Sequence, residues 1–177
     1  QLVHFIRVNM KRENIKALSE KLKSIDTKKK ALIGFDGFVD EVVHVVDKRI
    51  GIEDYIRLDS MAEYGNRISK SAGLSTNIEI VTVQQKLGGN GPIFANSLIS
   101  YGANLTYIGA LGVPDIHPVF KDMVSRCTAI SIANPARTDA IEFFDGKIIC
   151  SKLDPFKDIN WKSIVEKVGT DHFAELI

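Results

Sequence analysis

Near the middle of the chain, Lys86-Leu-Gly-Gly-Asn-Gly-Pro-Ile-Phe-Ala-Asn96 reads as a strand that breaks into a glycine turn and then opens a helix. Val81-Thr-Val-Gln-Gln-Lys86 has strand alternation, with Val81 and Val83 on one face. Gly88, Gly89 and Gly91 remove side chains where the chain must turn, so that a ligand can approach the backbone. Pro92 suits the first helical position, where its missing N–H is no loss, and a helix over 92–101 would stop at Gly102. Strand 78–86, helix 92–101 and strand 105–109 alternate, the pattern of a sheet with helices packed against it, so the order of elements reads as α/β. The same three glycines would also serve a plain tight turn.

A second segment, Ala31-Leu-Ile-Gly-Phe-Asp36-Gly-Phe-Val-Asp40-Glu-Val-Val-His44-Val-Val-Asp47, reads as a buried strand over 31–35, a Gly-x-x-Gly turn and a half-exposed strand. In that second strand Asp40, Val42, His44 and Val46 share one face. A carboxylate at the end of a buried strand can accept hydrogen bonds from neighbouring hydroxyls of a polyol. Asp36 and Asp40 would also serve simply to cap turns.

Taken together, the two segments resemble the ribokinase-like (PfkB) family of carbohydrate and nucleoside kinases. Asp40 matches the family's sugar-binding aspartate, and Gly88-Gly89 match the glycine pair beneath the substrate. Asn96 through Gly102 to Gly109 and Gly112 continues the signature of helix, glycine, strand and glycine turn, so the likeness runs over about 31–151. Where the family usually has an asparagine, this chain has Ile93, flanked by Asn90 and Asn96. Substrate recognition is therefore expected to differ from that of ribokinase itself.

The resemblance implies a Rossmann-like three-layer α/β fold, its sheet covered by helices on both faces, with a small β lid. It implies that 1–177 is the N-terminal portion of one such domain, incomplete at the C-terminus, with lid strands near 40–47 and 78–86 that could pair. It further implies an ATP-dependent sugar kinase using Mg2+, acting on a carbohydrate hydroxyl, with a possible homodimer through lid strands. The alternative is a non-catalytic sugar- or nucleoside-binding module without the kinase half. The family's catalytic Gly-Ala-Gly-Asp does not occur between Leu105 and Ile177, so no catalytic residue is assigned and the chain alone is expected to be inactive. A Walker-type phosphate loop and a Gly-x-Gly-x-x-Gly fingerprint are likewise missing.

The candidate substrate-binding residues are Asp40, Gly88, Gly89, Asn90, Asp36, Asn96 and Arg137. An amide such as Asn90 can donate and accept, as a sugar hydroxyl does. Asn96 could replace the amide missing at Ile93, or form a polar edge of its helix. Arg137, between two strands, could bind an anionic group or pair with Asp139. His44 could meet a ligand or face solvent. Asp36, Asp40, Glu41 and His44 make a poor metal set, because their carboxylates point to opposite strand faces, and no metal ligand is assigned.

With a net charge of +1, the chain has no general field for nucleic acid, and Lys28-Lys29-Lys30 reads as a solvated loop. Cys127 and Cys150 fit thiols of a reducing compartment or one disulfide. With no long apolar run, no membrane partner is expected, and the cytoplasm is the expected location. The remaining pattern predicts helices over 14–25, 60–72 (opened by a capping box of Ser60 and Glu63), 119–126, 161–168 and 171–177, strands over 105–109 and 128–133, and strands over 139–144 and 147–151 joined by a type I′ hairpin at Asp145-Gly146.

Overall fold

The computed structural model describes residues 12–23 and 30–177. Helix α1 (Arg12–Lys23) is exposed over 14–21; Ile25, Lys28 and Lys29 lie outside the described residues. Strand β1 (Lys30–Ile33) pairs in parallel with β5 (Asn104–Gly109), which pairs in parallel with β6 (Thr128–Ser131). Alternation along β5 sends Leu105 and Tyr107 to one side and Ile108 to the other. The first side packs against Ala95 of α3 (Asn90–Ser100) and Met123 of α4 (Lys121–Val124), with Phe120 from the 3-10 turn Pro118–Phe120. The second side packs against Ile164 of α5 (Trp161–Lys167) and Phe173 of α6 (Thr170–Leu176). Helices thus cover both faces of this parallel sheet, the expected three-layer α/β arrangement.

A second sheet is built on β2 (Phe38–Arg49), which leaves the first sheet through the turn 34–37. One edge of β2 pairs antiparallel with β4 (Ile80–Gly88), and the strand also pairs in parallel with β7 (Ala136–Glu142). Beyond the β7 contact, β3 (Tyr55–Arg57) takes up the pairing, and β8 (Lys147–Lys152) adds antiparallel to β7. Val43, Val45, Ile141 and Phe143 bury one face with Leu58, against Tyr64 of α2 (Met61–Lys70).

Several expected boundaries move. Strand β1 ends at Ile33 and is only half-buried, whereas β2 is longer than 40–47 and buries Val39, Val42, Val43, Val45 and Val46. Strands on its flanks and α2 below it exclude water from positions the alternation leaves half-exposed. Helix α3 begins at Asn90 with Gly89 as its cap, so Pro92 is its third residue rather than its first. That position also lacks an intrahelical acceptor for its N–H, so the physical reason for proline there holds. The helix ends as expected at Gly102 (φ 82°): Gly102 N donates to Ile99 O at 2.9 Å and Ala103 N to Leu98 O at 3.1 Å.

The hairpin at Asp145-Gly146 is not type I′, since neither residue has positive φ. Glu142 pairs with Lys147, and Phe143 N donates to Gly146 O at 2.8 Å across the loop 143–146. The Asp145 carboxylate instead accepts from Met61 N at 3.1 Å, at the start of α2. That helix also carries the expected capping box of Ser60 and Glu63.

Candidate functional site

Where the turn 34–37, the β4–α3 junction and the strands β7 and β8 meet, a cavity of about 540 Å³ opens. Pairing register explains its lining. Asp40 of β2 lies beside Lys86 of β4 and Thr138 of β7, and Thr138 lies beside Ser151 of β8. Side chains in register on adjacent strands share a face, and all four line the cavity. Phe38, Ala140 and Ile149 add apolar surface, while Asp36, Gly89 and Asn90 close the end nearest α3.

The two carboxylates differ in their commitments. Asp36 Oδ1 accepts from Gly91 N at 2.8 Å, at the N-terminus of α3, and its backbone carbonyl accepts from Tyr107 Oη at 2.6 Å. Burial, reinforced by Asp36, pushes the Tyr107 phenol far above its ordinary pKa, so it remains a donor. Asp36 therefore fastens the turn to the helix while presenting its other oxygen near Gly89. Asp40 makes no side-chain hydrogen bond or ion pair with any described residue. A free carboxylate in a concave site can accept charge-assisted hydrogen bonds from a ligand.

Gly89 (φ 96°) and Asn90 line the cavity with Asp36 and Asp40. Gly88 lies just behind it, and the place of its missing Cβ is filled by the Asp40 carboxylate. Its absent side chain thus lets Asp40 lie against the strand. Asn96 stands apart: its Oδ1 accepts from Arg126, which also bonds Asp122 on α4, because six residues of helix turn it away from Asn90. Arg137 is also elsewhere, since its register partner is Val39, which puts it on the face of β7 opposite to Thr138.

Arg137 lies 3.9 Å from Glu41, not paired with Asp139, which bonds Lys152 at 2.6 Å. It borders a larger recess of about 1050 Å³ with His117, Lys121 and four prolines. Burial, aided by Arg137 and opposed by Glu41, holds His117 below its ordinary pKa. Larger volume does not make that recess the better site: the cavity at Asp40 gathers both carboxylates and the glycine junction. His44 faces neither. Its Nδ1 lies 3.0 Å from Tyr55 Oη, and its Nε2 lies 3.1 Å from Arg57 Nη1 and 3.6 Å from Glu142.

The family model for prokaryotic ketohexokinase matches residues 9–177. The chain belongs to the prokaryotic ketohexokinase family. This membership bears out the ribokinase-like resemblance carried by Asp40 and the Gly88-Gly89 pair. A curated ketohexokinase from Haloferax volcanii is 27% identical over 150 residues, covering 84% of this chain and 40% of the relative. The chain therefore spans about two-fifths of that relative's length. A crystal structure from Agrobacterium tumefaciens that bears the name ribokinase aligns with TM-score 0.38 and 15% identity, over 71% of this chain and 36% of its own.

The cavity-lining residues missed by sequence reasoning are Phe38, Lys86, Thr138, Ala140, Lys147, Ile149 and Ser151. Lys147 is engaged at 2.7 Å with Glu142, which it holds below the usual carboxylate range. Strand β7 begins at Ala136, three residues before the expected 139, which brings Thr138 into the sheet. Its alternation was the available signal, but β2–β7 pairing is non-local and leaves no mark in either segment. Among the described residues, no three His, Cys, Asp or Glu side chains gather as metal ligands, and no helix is long and apolar enough to cross a membrane.

Proposed function

We propose that this chain forms the substrate-binding portion of an ATP-dependent sugar kinase that phosphorylates a hydroxyl of a ketohexose. Family membership supports the reaction class, and the name of the Haloferax relative supports the substrate class. The observation that carries the site is the unpartnered Asp40 carboxylate beside the Gly89–Asn90 junction in a cavity with both polar and apolar walls.

In this reading Asp40 accepts hydrogen bonds from sugar hydroxyls, and Asn90 donates or accepts at the neighbouring position. Phe38, Ala140 and Ile149 contact the C–H surface. Asp36 keeps the turn and α3 in fixed relation, so the sugar meets a pre-formed site. Gly89 and Asn90 remain in the proposed substrate set, while Gly88 makes room for Asp40. Asn96 and Arg137 are left out of it.

Magnesium and ATP are implied by the family, but the described residues do not offer a site that fits them. They contain no carboxylate cluster of metal-binding size and the sequence has no phosphate loop, so no catalytic step is assigned to this chain. The reading includes a cytoplasmic enzyme. It also allows a second copy to pair along β4, where Ile80 and Val83 are about half-exposed.

The test is calorimetric titration of the chain with D-fructose, alongside a phosphoryl-transfer assay with Mg-ATP. Binding that weakens in Asp40→Asn supports the reading; binding unaffected by that change removes Asp40 from the site. Sugar-dependent ATP turnover by residues 1–177 would mean that a catalytic group lies among residues assigned here to structure. Sugar binding in a longer protein that lacks any turnover would favour the non-catalytic binding module.

A further inference from the structure

The cavity wall beside Asp40 is a single polar rung across four strands. Lys86, Asp40, Thr138 and Ser151 are successive register partners on β4, β2, β7 and β8. None of the four side chains makes a hydrogen bond or ion pair with another described residue. Two residues further along β7 and back along β8, Ala140 and Ile149 form an apolar rung on the same wall.

Thr138 is the member that calls for a ligand. The residue is 6% exposed, and apart from Tyr107, whose hydroxyl is bonded to Asp36 O, it is the one buried residue with a polar side chain among the described residues. Arg57 Nε is the sole sealed side-chain polar atom without a partner among the described residues, so the unpartnered Thr138 hydroxyl opens to the cavity. A buried hydroxyl with no internal partner is unfavourable unless a ligand or water satisfies it. Asp40 and Thr138 stand on adjacent strands roughly 4.8 Å apart, a spacing from which two side chains reach hydroxyls on adjacent sugar carbons.

We propose that Thr138 is a specificity-determining residue, whose hydroxyl takes the substrate hydroxyl next to the one held by Asp40. The inference rests on the sugar-binding reading above and adds a criterion to it. The site selects sugars with two neighbouring hydroxyls along one edge, with their C–H surface toward Ala140 and Ile149. It rejects an analogue lacking the second hydroxyl, because Thr138 would then be left desolvated and unpaired.

The experiment titrates the chain with D-fructose and its singly deoxygenated analogues by calorimetry, comparing the unaltered protein with Thr138→Val, Thr138→Ser and Asp40→Asn. Thr138→Val keeps the shape and removes the hydroxyl, so D-fructose affinity should fall about 3–10-fold. One deoxy analogue should bind Thr138→Val more tightly than the unaltered protein, the reverse of the order with D-fructose, which identifies the hydroxyl Thr138 contacts. Thr138→Ser should restore most of the discrimination, and thermal melts correct each affinity for unfolded protein. Should Thr138→Val bind D-fructose undiminished while Asp40→Asn is weakened, this inference fails and the sugar-binding reading stands. A Thr138→Ser variant as weak as Thr138→Val would reduce Thr138 to a packing residue. No D-fructose binding by the unaltered chain would overturn both.

Discussion

Replacing Asp36 and Asp40 separately by asparagine asks two carboxylates four residues apart to reveal different roles. Gly89, the cap of α3, has no side chain to accept the helix's first N–H groups, and Asp36 supplies that acceptor from another element. Its carboxylate meets Gly91 N at 2.8 Å, at the positive end of the helix dipole. Asparagine keeps an acceptor oxygen but loses the charge, so Asp36→Asn should destabilise by about 1–2 kcal/mol. Asp36→Ala, which leaves Gly91 N–H unpaired, should lose about 2–3 kcal/mol. Asp40 has no internal partner to lose, so Asp40→Asn should stay within about 0.5 kcal/mol of the unaltered chain. Urea unfolding followed by circular dichroism measures both. At a slope of a few kcal/mol per molar, Asp36→Asn should lower the midpoint by roughly 0.5–1 M. Sugar titration should show the reverse order, with Asp40→Asn about 10–100-fold weaker. Equal midpoint shifts for the two variants would refute this division of labour.

Gly89→Val should abolish sugar binding more completely than Gly102→Val, because only Gly89 lines the cavity although both have positive φ; equal losses in calorimetry, corrected for folded fraction, would speak against a backbone-lined site. Ser60→Ala, by removing half of the α2 capping box, should lower stability by about 1 kcal/mol without altering sugar affinity, measured by melts and titration together. Folding holds His117 below its ordinary value of 6.5, and its Nδ1 accepts from Val119 N at 3.3 Å. The unfolded chain therefore binds the proton first, so this residue's contribution is fully present above about pH 6.5 and declines as pH falls below it. His117→Asn, which keeps an acceptor, should flatten stability between about pH 7.5 and pH 5.5, and an unchanged pH slope would exclude His117 as its source.

Local chemistry alone determined the glycine junction at 88–91, the cap at Gly102, the capping box at Ser60, the alternation of β2 and β5, and the α/β class. Each depends on residues within a few positions of one another, where sterics and backbone hydrogen bonding leave few choices. Asp36, Asp40, Gly89 and Asn90 were legible as a set because they flank those junctions. The tertiary structure decided how they divide. Asp36 is fastened to Gly91, Asp40 is left free, and Gly88 gives up its Cβ space to Asp40. Tertiary structure also turned Asn96 toward Arg126 and Arg137 toward Glu41, and it drew Asp145 out of a type I′ turn to the start of α2. Above all it brought Thr138 beside Asp40. Parallel pairing of strands so far apart in sequence is set by the packing of whole layers, and a shift of one residue in its register would have put Arg137 on the cavity wall instead.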